Sequence, residues 1–296
     1  KPNRAFLLLG GRTLSHVHGK VRFYDFNAFK ELPSLALGRD DALGLAAGTA
    51  TSAWYVMGGR TAWGSTTRQV EYFAGHGWVA RAPLPVAVSH AAGVTLPTGN
   101  MLVSGGFLVD GAGYGGLHLY DPDQDQWLAA SVQAVERGAH CACHHPTLGT
   151  FLIGGLRQVN LVSSTTLLST VEVYHNELLS VKENMLVAVA GHGCAVRQDV
   201  VIVAGGVASD GATDIIQTLS LSNNMWSMSR LTNGLRMQAQ PRLHMFDMNS
   251  NQALLYVGNG CFDGLGVSSE IIGRFIPSSL WTMPIGAGTP ECKGKK

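Results

Sequence analysis

The densest group of side chains capable of chemistry is His140-Cys141-Ala142-Cys143-His144-His145, the one stretch with the composition of a metal site. Ligands must converge on a single point to hold an ion. This run has strand character, and neighbours on a strand point to opposite sides, so His140 and Cys141 cannot share a site. Cys141 and Cys143 can share a face, where free cysteine is commonly a small buried hydrophobe. His16-Val17-His18 offers two imidazoles with no third ligand close by. Gly111-Ala-Gly-Tyr-Gly-Gly116 is rich in glycine but lacks the Lys-Ser/Thr and the following helix of a phosphate loop. Neither a Gly-x-Ser-x-Gly elbow nor His-Glu-x-x-His occurs. No catalytic residues, metal or cofactor are therefore expected.

Four histidines, His90, His140, His192 and His244, recur in what reads as one register, 13 to 15 residues before successive glycine pairs. Recurrence favours a structural reading, in which a buried imidazole satisfies backbone groups. The glycine pairs themselves form a repeat. An apolar run ends at Gly10-Gly11, Gly58-Gly59, Gly105-Gly106, Gly154-Gly155 and Gly205-Gly206, and a sixth ends at Gly258, where Asn259-Gly260 follows. The first glycines lie 48, 47, 49, 51 and 53 residues apart. After each comes a β-rich run, such as Val70-Glu-Tyr72, Leu117-His-Leu-Tyr-Asp121 or Val171-Glu-Val-Tyr174. An aromatic follows in most copies: Phe29, Trp78, Trp127, Trp226 and Trp281, with Leu178 or Leu179 in the fourth.

Each unit reads as four short strands, A to D, and no stretch carries a helical period. Units of four strands every 50 residues or so predict an all-β fold, a six-bladed β-propeller with four antiparallel strands per blade, filling residues 1–296 as one domain. A glycine pair after a buried strand permits close backbone approach and positive φ, and each tryptophan gives a large apolar face. Gly10, Gly11, Gly58, Gly59, Gly105, Gly106, Gly154, Gly155, Gly205, Gly206, Gly258, Trp78, Trp127, Trp226 and Trp281 are therefore read as scaffold. Five A strands serve six units, so the first unit lacks its innermost strand. The segment 286–296, or residues outside this chain, would supply it.

Composition narrows the function classes. The chain has 296 residues, 46% hydrophobic and 14% charged, with a net charge of +1. That is too apolar and too neutral for disorder. Near-neutrality without a lysine-rich run argues against nucleic-acid binding, and no apolar run approaches a membrane span. Five cysteines, an odd and sparse number, do not make a disulfide framework. The chain begins at Lys1 without a visible signal peptide, and is expected to be a mature product or an excised segment. Its compartment stays open between cytoplasmic and extracellular.

The pattern of apolar-Gly-Gly, then Tyr-Asp, then Trp resembles the kelch repeat, and Arg137-Gly-Ala-His140 is similar to the Arg-x-x-His that opens many kelch units. The resemblance covers residues 5 to about 283. It implies a propeller, and among its possible roles are substrate adaptor, actin binder, secreted protein and, in a few cases, enzyme. The copper site of kelch-type oxidases, built from tyrosines, a cysteine and histidines, finds no match here.

Antiparallel connections alternate between the two ends of a sheet. The A–B and C–D turns are tight and acidic or amide-rich, as turn chemistry requires. The B–C loops, about 12–20, 60–69, 107–116, 156–170, 207–214 and 261–268, are longer and share an end with the D–A loops. Long loops on a rigid frame are where binding sits. Arg12, Arg39, Arg60, Arg81, Arg137, Arg157, Arg236 and Arg242 fall there, joined by Trp63 and Tyr114 as aromatic anchors. Guanidinium forks grip carboxylates at two points. The reading is a protein-interaction module, a scaffold or substrate adaptor, binding an acidic peptide or protein partner through this face. The alternatives are an enzyme or carbohydrate-binding protein using the channel mouth, and a secreted or cytoskeletal structural protein.

Overall fold

The computed structural model describes residues 6–12, 16–24, 29–46, 53–62, 64–159, 166–230, 243–249, 252–260 and 268–275. Every regular element among them is a strand. The first sheet has β1 (Phe6–Arg12), β2 (Val17–Tyr24) and β3 (Phe29–Leu32), in that order. The second runs β4 (Leu43–Ala46), β5 (Trp54–Met57), β6 (Val70–Phe73) and β7 (Trp78–Arg81). β8 (Ala92–Thr95), β9 (Met101–Ser104), β10 (Leu117–Asp121) and β11 (Gln126–Ala129) make the third. The fourth holds β12 (Cys141–His145), β13 (Gly149–Ile153), β14 (Val171–His175) and β15 (Leu178–Lys182). In the fifth, β16 (Gly193–Arg197) and β17 (Val200–Ala204) precede a two-stranded ribbon, β18 (Val207–Ala208) and β19 (Gly211–Ala212). β20 (Ile215–Ser220) and β21 (Met225–Arg230) complete it. The sixth has β22 (Leu243–Asn249), β23 (Gln252–Gly260) and β24 (Ser268–Phe275).

Among the described residues the strand pairings are antiparallel and between strands adjacent in a repeat, and four of the sheets, the second to the fifth, show the A-B-C-D order. The first sheet begins with its B strand, as the count of A strands required. The chain divides into two compact units, Lys1–Gly138 with Gln158–Asn160, and Ala139–Arg157 with Leu161–Lys296. In the first, Tyr55, Met57 and Val70 of the second sheet pack with Met101, Val103 and Tyr120 of the third. In the second, Phe151, Ile153 and Val171 of the fourth sheet meet Val201, Val203 and Leu219 of the fifth. Both faces of a B strand are thus covered, which explains its unbroken apolar run: Phe151, Leu152 and Ile153 are wholly buried. Outer strands face water, and β15 exposes Leu178 and Val181.

Two kinds of hydrogen bond join one repeat to the next. The second glycine of a pair donates forward in several repeats: Gly11 N to Arg39 O (2.9 Å), Gly59 N to Val88 O (2.8 Å) and Gly155 N to Val189 O (2.9 Å). The D-strand tryptophan donates backward, from Trp78 Nε1 to Pro33 O (2.7 Å), Trp127 Nε1 to Ala82 O (2.9 Å) and Trp226 Nε1 to Glu183 O (2.9 Å). The tryptophans are therefore half-buried contacts with a polar anchor, not fully enclosed plugs. Trp281 lies outside the described residues.

A buried ion pair lies inside the first unit. Arg39 is wholly enclosed and its Nη2 donates to Glu71 Oε1. Glu71 also accepts Ala36 N at 2.7 Å, while Arg39 donates to Gln69 O at 2.7 Å and Gly58 O at 3.2 Å. The pair joins the D–A segment to β5 and β6. At the equivalent register of the fifth sheet Gln217 does the same work without charge, accepting Val187 N (2.8 Å) and donating to Val187 O (2.9 Å).

Candidate functional site

The ends of β1, β4, β5 and β8 come together in the first unit. Gly58 and Gly59 have φ of 62° and 103°, and a Cβ on them would sit 2.5 Å from Val88 O and 2.7 Å from Asp40 O. Only glycine lets the chain leave β5 here. The turn brings Arg60 alongside Asp40, with Asp40 N to Arg60 O at 3.0 Å and the reciprocal bond at 2.8 Å. Asp41 has φ of 51°, and its carbonyl accepts His90 N at 2.9 Å; His90 has φ of 54°. Asp and His tolerate this left-handed region better than most residues.

This backbone arrangement clusters five charged or titratable side chains. Arg12 Nε donates to Asp40 Oδ2 at 2.6 Å, and Arg12 Nη2 to Thr61 O at 3.3 Å. Arg60 Nη2 reaches Asp40 Oδ2 at 3.5 Å and makes a closer bond to Asp41 Oδ2. His90 Nε2 stands 3.3 Å from Asp41 Oδ1, with its Nδ1 3.2 Å from Ser89 Oγ. The two carboxylates are nearly enclosed, whereas about a third of each arginine side chain faces water (37% for Arg12, 32% for Arg60). The hydrogen bond to Asp40 raises the Arg12 guanidinium above the ordinary arginine range, outweighing its partial burial. Positive forks thus lie outermost on a fixed acidic floor, with an imidazole beside it. Such a surface can grip a carboxylate or hydrogen-bond a polar ligand.

The expected binding residues fare differently. Arg12 and Arg60 belong to this cluster. Arg39 and Arg137 are not on the surface: both are buried, and each Nε turns back to the carbonyl two residues earlier, Leu37 O at 3.3 Å and Val135 O at 3.1 Å. The reason is their place in the repeat, since both precede an A strand at the same register. Arg81 stacks over the Tyr72 ring at 5.0 Å, away from the cluster. Tyr114 is bound internally, its hydroxyl 2.9 Å from His118 Nε2 and its ring stacked on that imidazole. Burial raises the Tyr114 phenol and lowers His118. Arg157 is exposed in the second unit. Trp63, Arg236 and Arg242 lie outside the described residues.

Two expectations need correction. The histidines are not in one register: His90 occupies the positive-φ position shared by Asp41, Ala139 and Gly191, whereas His140 and His192 come one residue later. Cys141 is not a free thiol. It is bonded to Cys194, with Cα atoms 5.9 Å apart, and Cys143 is buried and free. Sequence alone did not bring Asp40, Asp41 and His90 together as members of one site. The available signal was the spacing. His90 and Ala139 are 49 residues apart, the same as Gly105 and Gly154, whereas His90 and His140 are not. Among the described residues no group of His, Cys, Asp and Glu is arranged to hold a metal ion, and no helix is long and apolar enough to cross a membrane.

No protein-family model matches the chain, and no curated protein is similar to it. The solved structure of YjhT is similar in fold, with a TM-score of 0.69 over 93% of this chain and 96% of that one. Only 15% of residues are identical, so the likeness speaks to fold alone.

Proposed function

We propose that this chain is a kelch-type, six-bladed β-propeller that serves as a protein-interaction module, a scaffold or adaptor. It recognises an acidic peptide or protein partner at the end from which the B–C and D–A loops leave. The observation that carries the reading is the outward-facing Arg12 and Arg60 pair over Asp40 and Asp41. The aspartates hold both forks in place before a partner arrives, so less ordering entropy is lost on binding. The repeat of glycine pairs and the sheet order A-B-C-D support the propeller.

An array of Asp- and Glu-containing peptides, followed by fluorescence polarisation on the best binders, tests this directly. Arg12→Gln with Arg60→Gln should weaken capture at least about tenfold, the loss of two charge-assisted contacts. Asp123→Asn, in an exposed C–D turn, should leave it unchanged. Equal binding by the double variant would overturn the choice of site. One observation favours the second reading, a carbohydrate-binding or enzymatic site: the His90–Asp41 pair at 3.3 Å. Thermal-shift screening of monosaccharides, with His90→Gln as control, distinguishes it.

A further inference from the structure

We infer that Cys141–Cys194 is a permanent staple, formed in an oxidising compartment, and that this protein works outside the reducing cytosol. The bond links β12 and β16, the innermost strands of the fourth and fifth sheets, across 53 residues of sequence. Among the described residues β12 pairs only with β13, and β16 only with β17. No ladder of backbone hydrogen bonds joins the two strands, so side-chain packing and this covalent link hold them side by side. The Cα separation of 5.9 Å falls within the usual disulfide range. Both half-cystines are over nine-tenths buried, in a cluster with Phe151, Val171, Val189 and Val203. A reductant reaches the sulfurs only if the sheets part.

The neighbouring thiol is held inert by the same enclosure. Cys143 shares the inward face of β12 with Cys141, two residues along. Burial pushes its pKa far above the ordinary thiol value. Exchange proceeds through the thiolate, so an enclosed thiol does not attack the adjacent disulfide. Formation of the bond is a two-electron oxidation. The Cys141 and Cys194 thiols give up two protons and two electrons, and the disulfide of a thiol oxidoreductase is reduced to a dithiol. Bonds of this kind persist in secretory and extracellular compartments and are rare in the cytosol. The inference is independent of the binding proposal, because its tests involve no partner.

The experiment compares the chain expressed with a secretory leader in eukaryotic cells with the same chain made in the cytosol. Each is alkylated under denaturing conditions and mapped by mass spectrometry. The secreted chain should yield a peptide pair cross-linked through Cys141 and Cys194, with Cys143 alkylated only after unfolding. Recovery of Cys141 and Cys194 as alkylated thiols from the secreted chain would overturn the proposal. The reduced cytosolic chain should melt about 10 °C lower, from the closed-loop entropy and the usual size scaling. Equal melting temperatures with and without the bond would overturn the claim that it is a staple. Cys143→Ala should retain the bond, and its loss would count against an inert role for that thiol.

Discussion

Replacing Glu71 by Gln should expose how the buried pair is held. The amide keeps an acceptor for Ala36 N at 2.7 Å, so little hydrogen bonding to the D–A segment is lost. What disappears is the charge facing Arg39, which is wholly buried. Burial already lowers the Arg39 guanidinium below its ordinary range, with Glu71 opposing that shift. Removing one member of such a pair costs about 3–5 kcal/mol. The fifth sheet shows how to repair the damage, because Val189 and Gln217 stand there at the registers of Arg39 and Glu71. Arg39→Val with Glu71→Gln recreates that neutral arrangement, and the new amide can donate to Leu37 O as Gln217 does to Val187 O. The residual cost is the smaller side chain, about 1–2 kcal/mol. Urea denaturation followed by tryptophan fluorescence compares the two, and the double variant should regain about 2–3 kcal/mol relative to Glu71→Gln alone. If Glu71→Gln costs under about 1 kcal/mol, or the double variant is weaker than the single one, the argument from uncompensated charge fails.

Two further outcomes are expected. Trp127 is half-buried, stacks near Tyr120 with centroids 4.8 Å apart and anchors to Ala82 O. Trp127→Ala should therefore cost about 2–3 kcal/mol, below the 3–5 of an enclosed tryptophan, and Trp127→Phe about 1 for the lost hydrogen bond. Thermal melts of both variants check this, and a Trp127→Phe variant as stable as the wild type would deny the anchor any role. Asp125 provides a pH test. Burial alone would raise its pKa, but hydrogen bonds from Tyr120 (2.5 Å) and Ala82 N (2.8 Å) and the Arg81 charge outweigh it, leaving the carboxyl below its usual value. Its contribution is thus complete above about pH 4, the unfolded value, and is lost as pH falls through the depressed folded one. Melting temperatures of wild type and Asp125→Asn should converge in acid; curves that stay parallel would refute the linkage.

The repeat was legible because its markers are chemically forced. Only glycine fits where Gly58 and Gly59 meet the neighbouring carbonyls, and only a continuous apolar run suits a strand covered on both faces, as at Phe151-Leu152-Ile153. The site was harder to read. An arginine in a D–A segment looks exposed from its connection type, yet Arg39 turns inward because Glu71, a charge within a core strand, needs a counterion. That acid in an otherwise apolar strand was the overlooked sign. Asp41 and His90 converge through a shared left-handed backbone position, which residue type alone does not announce. The partner of Cys141 was hidden for a similar reason. Fifty-three residues separate it from Cys194, and only alignment of the repeats brings both to the head of an innermost strand.

In both units a glycine N–H reaches ahead and a tryptophan N–H reaches behind. A sheet that frays therefore withdraws support from its neighbours in the same unit, and failure should spread through that unit rather than stay local. Denaturation of this chain should then resemble the unzipping of a coupled series, and its amides should exchange in blocks larger than one sheet.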